Sequence, residues 1–162
     1  MNICSQPEQS KVEIDSFSGA FRFLSNFYSA PLLYEGVLYP TSEHAFQAAK
    51  TLDHNQRLNV AMLETPAESK RYGKTVPLRP AWDDIKIGVM EEIVEEKFRQ
   101  NPKLAEMLLA TEDAILIEGN TWGDKFWGVC NGVGENNLGK VLMYVRDCLN
   151  KEKEDNGRLN EI

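Results

Sequence analysis

"YPTSEHAFQAAK", residues 39–50, predicts the start of a buried helix. Thr41 or Ser42 is a suitable N-cap, because a hydroxyl oxygen there accepts a hydrogen bond from a free backbone N–H. The apolar residues that follow fall on one face at helical spacing: Ala45, Phe46, Ala48, Ala49 and Leu52. Glu43 would lie in the first turn, where the helix dipole favours a negative charge. The position therefore suits either a helix-start residue or a carboxylate with a chemical role.

Two β-branched stretches and one turn signal predict a small amount of sheet. "VEIDSF", residues 12–17, and "AILIEG", residues 114–119, have the composition of strands. "LLYEGVLY", residues 32–39, is typical of two short strands joined by a tight turn at Glu35-Gly36. We expect a hairpin there and a sheet of few strands.

Helical signals occupy most of the remaining chain. "TPAE", residues 65–68, is a capping box with proline at the first helical position, and Gly73 is a suitable end for that helix. Residues 82–98 carry an apolar stripe, and Asn101-Pro102 interrupts it before helical spacing resumes. A last amphipathic helix is expected across residues 138–149. The order of elements predicts an α+β fold, a helix-dominated single domain with a small β-sheet.

Length and composition suit one domain. With 162 residues, of which 42% are hydrophobic and 27% charged, the chain can bury one core, which we assign to residues 1–150. Residues 151–162 carry too little apolar surface for packing, and we expect them to form a polar, flexible tail.

Composition also narrows the classes of function. The chain has no run of about 18 apolar residues, and its start lacks the basic and apolar regions of a signal peptide, so we expect a cytoplasmic protein with no membrane partner. Three widely spaced cysteines and two histidines disfavour a disulfide framework and a Cys/His zinc site. The net charge of -7 repels polyanions, so a nucleic-acid contact would need a local basic patch.

Residues 118–140, "EGNTWGDKFWGVCNGVGENNLGK", are rich in glycine, asparagine and aromatic residues. Such a loop lets backbone approach a ligand closely and provides rings to cover a flat one. Its last glycines precede a helix, which suits a phosphate cradle, but their spacing matches neither a dinucleotide-binding fingerprint nor a Walker A motif. A simple Gly/Asn cap of the last helix is the alternative.

Five blocks of the sequence, in this order, resemble the YbiA-like, or NADAR, proteins. They are "FLSNFYSAP" (23–31), "YPTSEHAFQAAK" (39–50), "PLRPAW" (77–82), "WGD" (122–124) and "NNLGKVLMYVR" (136–146). The resemblance covers roughly residues 12–150 and implies an α-rich α+β fold and cleavage of N-glycosidic bonds, with no metal and no redox cofactor. It places the family's functional glutamate on Glu43, its tryptophans on Trp82 and Trp122, and its aspartate on Asp124.

The chemistry of a ribose C–N bond gives these two acids possible roles. Cleavage develops positive charge on the sugar, and a carboxylate can stabilise that charge or activate the incoming water. We assign water activation to Glu43. Asp124 could protonate the leaving base or hold ribose hydroxyls, and the sequence leaves both roles open.

Other side chains are candidates for substrate contact. Trp82 and Trp122 would stack on the heterocycle. Ser25 and Asn26 can either satisfy the local turn or grip a ribose. We interpret Trp127 as a core anchor. We interpret His44 as a structural residue.

Phosphate contacts are expected from basic residues. Lys50 and Arg79 are the candidates, the latter within the acid-free stretch 69–82, although a solvated basic surface is the alternative for that stretch. Gly134 and Asn136 in the last loop complete the substrate-binding set, while Glu135 between them disfavours phosphate there.

The resemblance to the NADAR proteins implies the main functional hypothesis, an N-glycosidase that hydrolyses phosphorylated, ribosylated heterocycles, namely early riboflavin-pathway ribosylamino-pyrimidine phosphates. One alternative is a hydrolase that removes ADP-ribose from guanine in DNA, which makes ADP-ribosylated nucleic acid a possible partner. Another is a non-catalytic sensor of NAD or ADP-ribose. The sequence leaves the oligomeric state and the physiological substrate open.

Overall fold

The computed structural model describes residues 10–159, which form a helix-rich α+β domain. Its α-helices are α1 (Ser42–Ala49), α2 (His54–Ala61), α3 (Pro66–Gly73), α4 (Trp82–Gln100), α5 (Pro102–Leu109) and α6 (Asn137–Leu159). A 3-10 helix spans Gly19–Leu24. The strands are β1 (Glu13–Ile14), β2 (Leu32–Tyr34), β3 (Val37–Tyr39), β4 (Ile115–Leu116), β5 (Gly119–Asn120) and β6 (Val129–Cys130). The fold class predicted from the sequence is confirmed.

Helix α1 lies at the centre of the domain. Each of its residues is buried, and it contacts α2, α3 and α4. Helix α4 packs in turn against α6, which places the apolar stripes of both long helices in one core. Because α1 is short and enclosed, even its polar side chains lie inside the protein.

The start of α1 is fixed by hydrogen bonds within the chain. The Thr41 hydroxyl is the N-cap and accepts from the His44 backbone N–H at 3.2 Å. The His44 ring lies 2.7 Å from the same hydroxyl through Nδ1 and 3.1 Å from the Leu63 carbonyl through Nε2. The Asn26 carbonyl accepts from the Glu43 N–H at 3.1 Å. These bonds satisfy groups that a helix start leaves unpaired and hold Glu43 in place.

The sheet content is small and divided. β2 and β3 form the predicted hairpin, with Glu35 and Gly36 at positive φ in its turn. β1 pairs with β4 and β5 with β6, both in parallel. The expected single small sheet is therefore three two-stranded pairs within the described residues, because strands of two or three residues offer few hydrogen bonds for a further partner.

Most predicted helices are confirmed, with three differences. The capping box at α3 has both of its hydrogen bonds, and Asn101 separates α4 from α5 as expected. Leu52 lies beyond the end of α1 and is exposed, so its assignment to the apolar face was wrong. Helix α2 was missed because Val60 is its one buried residue, which leaves little apolar periodicity.

The third difference concerns the last helix. α6 continues to Leu159, so residues 151–159, predicted as a flexible tail, are helical and exposed. Arg99 on α4 pairs with Glu152 through bonds of 2.8 and 2.5 Å, which ties part of this extension to the domain. Residues 1–9 and 160–162 lie outside the described residues. They include Cys4, the start of the chain that was expected to lack a signal peptide, and the last residues of the predicted tail. Among the described helices, none is both long and apolar enough to cross a membrane.

Candidate active site

A cavity of about 620 Å³ opens beside the start of α1. This volume is within the usual range for small-molecule sites. Its walls come from α1, α3, α4, the turn after the 3-10 helix and the loop that follows β4. Its lining includes acidic, basic and aromatic side chains: Glu43, Glu118, Asp124, Lys50, Lys70, Phe27, Phe46, Trp122 and Trp127. The sequence-predicted residues that line it are Glu43, Asp124, Trp122, Ser25, Asn26 and Lys50.

Glu43 reaches the cavity from the first turn of α1 and is 8% exposed. Its Oε1 accepts a hydrogen bond of 2.7 Å from Gln47 Nε2, one helical turn later. Burial raises the pKa of Glu43, while the Gln47 bond and the charges of Lys70 and Lys50 lower it. The net direction is upward, so burial outweighs these lowering effects.

Two lysines bring positive charge to the same cavity. Lys50 follows the last residue of α1, and Lys70 belongs to α3. The Lys50 pKa is lowered by burial, although the charge of Glu43 raises it. The positive charges of Lys70, Lys74 and Lys86 also lower that pKa.

Asp124 is held by its own loop. Its Oδ1 accepts from the backbone N–H groups of Phe126 at 3.1 Å and Trp127 at 2.9 Å. The Asn120 side chain bonds to the backbone on both sides of Asp124, accepting from its N–H and donating to its carbonyl. These bonds fix the carboxyl group at the cavity wall and leave Oδ2 for another partner.

Glu118 is a third carboxyl group in the cavity and was not singled out from the sequence. It lies between β4 and β5, and its Oε2 is buried with no hydrogen-bond partner in the described part of the chain. The available sequence signal was an acid at the start of the glycine-rich loop. Nothing local indicates that this loop turns the acid towards Glu43.

Trp122 and Trp127 line the cavity, whereas the sequence predicted Trp82 and Trp122 as the substrate contacts. Trp127, interpreted as a core anchor, packs against the core and also lines the cavity, with its ring 5.3 Å from the Phe46 ring, edge to face. Trp122 also lines it but is 67% exposed. Trp82 is buried and does not line the cavity, and its ring packs at 5.3 Å against Phe46 from the other side. Trp82 therefore supports the cavity wall, because the start of α4 points its side chain into the core.

Ser25 and Asn26 line the cavity and also carry structural bonds. Asn26 Oδ1 accepts from the Ser42 hydroxyl at 2.8 Å, and Ser25 Oγ accepts from the Phe27 N–H at 3.1 Å. The Ser25 carbonyl accepts from the buried Lys97 ammonium group at 3.0 Å. Both readings of this turn from the sequence, local structure and substrate contact, thus remain compatible with its position.

Three remaining candidates do not line the cavity. The Arg79 guanidinium lies at the C-terminal end of α1, 3.5 Å from the Ala49 carbonyl, where a positive charge complements the helix dipole. Asn136 uses its side chain to bridge the Glu118 N–H at 3.0 Å and the Leu116 carbonyl at 2.9 Å. Gly134 has φ of 158° and packs on the Gly128 backbone so closely that a Cβ would overlap it. Gly134 thus permits close packing of the backbone in the loop.

Within residues 10–159, no group of three or more His, Cys, Asp or Glu side chains is arranged to hold a metal ion.

Comparison with known proteins agrees with this architecture. The sequence model of the NADAR domain matches residues 10–150. The chain belongs to the NADAR family. N-glycosidase YbiA of Shigella flexneri is 40% identical over 141 residues, which cover 85% of this chain and 88% of that protein. A riboflavin biosynthesis protein of Vibrio vulnificus is 41% identical over 128 residues, covering 77% of this chain and 35% of that protein.

A solved structure resembles the fold. The NMR structure of Escherichia coli YbiA matches with a TM-score of 0.80 and 37% identity, over 90% of this chain and 89% of that one.

Proposed function

We propose that this protein is an N-glycosidase that hydrolyses the C–N glycosidic bond of an early riboflavin-pathway ribosylamino-pyrimidine phosphate. Its NADAR membership and its similarity to proteins named N-glycosidase and riboflavin biosynthesis protein support the reaction and pathway. The observation that carries the proposal is one cavity in which carboxyl, lysine and aromatic side chains converge. The three kinds of side chain are assigned different roles in the reaction.

Glu43 is proposed to activate the attacking water. A general base is most effective when its pKa is close to the working pH, and burial moves the Glu43 pKa upward in that direction. Lys50, Lys70 and Gln47 all favour its ionised form and so limit the rise. In its ionised form the carboxylate can accept a proton from the attacking water.

Asp124 is proposed to interact with the ribose of the substrate. Its Oδ1 is occupied by backbone donors, so Oδ2 can accept from a ribose hydroxyl or face the positive charge that develops on the ring. Because the surrounding loop fixes the group before substrate arrives, this interaction requires little rearrangement.

The aromatic and basic side chains account for the rest of such a substrate. Trp127 and Phe46 offer apolar surface to the heterocycle, and the exposed Trp122 can cover its outer side. Lys50 and Lys70 supply the positive charge for a phosphate. Because Arg79 lies at the end of α1 and does not line the cavity, Lys50 and Lys70 replace it as the proposed phosphate contacts.

The test is product analysis by mass spectrometry with wild type, Glu43→Gln and a control, Glu106→Gln. Glu106 is an exposed glutamate on α5 and matches the substitution away from the cavity. Each protein is incubated separately with the ribosylamino-pyrimidine phosphate, ADP-ribosylated guanine DNA, NAD and ADP-ribose. We expect wild type and Glu106→Gln to release free base and ribose phosphate from the first compound. Glu43→Gln should lose about 10²–10⁴-fold in rate and still bind.

The other outcomes decide between the alternatives. Release of ADP-ribose from the DNA, with the pyrimidine left intact, would replace the proposed substrate. Tight binding of NAD or ADP-ribose with no turnover of any compound would make the protein a sensor. Full activity of Glu43→Gln would refute the role assigned to that residue.

A further inference from the structure

Glu118 is positioned by its backbone and enters the cavity with its side chain. Its N–H donates to the Asn136 side chain at 3.0 Å, and its carbonyl accepts from the Val129 N–H at 2.8 Å. Bonds on both sides of the peptide hold the residue between β4 and β5. The carboxyl group therefore has a defined place in the cavity wall.

The surroundings of this carboxyl group favour its neutral form. Oε2 is buried and has no hydrogen-bond partner within the described chain, which is costly for a carboxylate. Burial, with the charges of Asp124 and Glu43, raises the Glu118 pKa to about 8, against a smaller lowering by Lys70 on α3. From the remaining walls, α1 contributes Lys50, while Lys86 of α4 lies over the Phe126 ring, 4.2 Å from its centre.

The cavity thus holds carboxyl groups of two kinds. Glu43 receives a hydrogen bond from Gln47, and Asp124 receives two from its own loop. Among the residues that the structure describes, none donates a hydrogen bond to Glu118 Oε2. Neighbouring carboxyl groups in different surroundings can take the roles of base and acid in one site.

We propose that Glu118 is the proton donor to the leaving nitrogen of the glycosidic bond. This inference rests on the N-glycosidase function proposed above. It also gives the proton-donor role, which the sequence left open for Asp124, to a different residue.

The proton and electron balance is complete without a co-reactant. The water oxygen bonds to the anomeric carbon and gives one proton to Glu43. The C–N bond breaks with its electron pair passing to nitrogen, and the Glu118 O–H supplies the proton that nitrogen takes up. Transfer of the proton from Glu43 to Glu118, through solvent, restores both residues. One water is consumed, and free base and ribose phosphate are released.

The experiment is a pH profile of kcat and KM for wild type, Glu118→Gln and Glu106→Gln on the ribosylamino-pyrimidine phosphate. Wild type and the control should lose activity as the pH rises through about 8, because Glu118 gives up its proton there. Glu118→Gln should lose about 10²–10³-fold in kcat with KM changed by less than about threefold, and its alkaline decline should disappear.

Infrared difference spectra of wild type against Glu118→Gln at pH 7 provide a readout that needs no turnover. We expect a protonated-carboxyl carbonyl band that the variant lacks. Absence of that band, wild-type kcat in Glu118→Gln or an unchanged alkaline decline in the variant would each overturn the donor role alone. Absence of turnover by wild type would instead overturn the glycosidase function and the donor role together.

Discussion

Replacing Glu118 with glutamine should change how the stability of the protein depends on pH. In the unfolded chain this acid titrates near its ordinary pKa of 4.5, whereas burial raises the folded-state value to about 8. Between these pH values the folded protein holds a proton that the unfolded chain has lost. Folded wild type therefore binds more protons, and its stability falls as the pH rises through this window.

The size of the effect follows from the same two values. A difference from 4.5 to about 8, at 1.36 kcal/mol for each pKa unit, corresponds to about 5 kcal/mol. Partial exposure of the side chain reduces this figure, so we expect about 3–5 kcal/mol. Glutamine has a similar shape and no charge, so Glu118→Gln should gain this much stability relative to wild type between pH 4 and pH 9.

Urea unfolding of wild type, Glu118→Gln and Glu106→Gln at several pH values measures the difference directly. The stability gap between Glu118→Gln and wild type should widen from pH 4.5 to about pH 8 and then stay constant. The gap for the exposed control should not change with pH in this way. If the stability difference between Glu118→Gln and wild type is the same at every pH, the Glu118 carboxyl group of wild type ionises normally in the folded protein. That result would refute the reasoning.

Three further substitutions probe the cavity. Trp127→Ala should weaken substrate binding about 10–100-fold because its ring forms the cavity wall, whereas Trp122→Ala should cost less than about fivefold because that ring is mostly exposed. Isothermal titration with the inactive Glu43→Gln protein as background measures both, and equal losses would contradict the assignment. Gln47→Met removes a donor that lowers the Glu43 pKa, so the acid side of the kcat/KM profile should move up by about one pH unit. A downward move, or none, would mean that Glu43 is not the base that this profile reports.

The elements that the sequence predicted well depend on contacts between near neighbours in the chain. The Thr41 cap and the Thr65–Glu68 capping box form across three residues, so their side chains meet wherever the helix lies. The Glu35-Gly36 turn and the break at Asn101-Pro102 are equally local, because they depend on the backbone preferences of the residues themselves. Helix α2 escaped prediction because its packing leaves almost no apolar pattern.

The candidate site was only partly predictable. The sequence and its family resemblance gave Glu43, Asp124, Lys50 and one exposed tryptophan, all of which line the cavity. They could not separate Trp127 from Trp82, because both are aromatic residues beside turns. Only packing around Phe46 decides which ring faces the cavity and which lies behind its wall.

By itself, the sequence determined the helix starts, the hairpin, the class of fold and the presence of acids suited to glycosidic chemistry. The tertiary structure alone decided how those acids differ. Glu43 and Glu118 are the same residue type, yet Glu43 accepts a hydrogen bond from Gln47 beside two lysines. Glu118 instead has a buried oxygen to which no residue in 10–159 donates. Their protonation depends on burial and on charges from distant parts of the chain, which are brought together only when the protein folds.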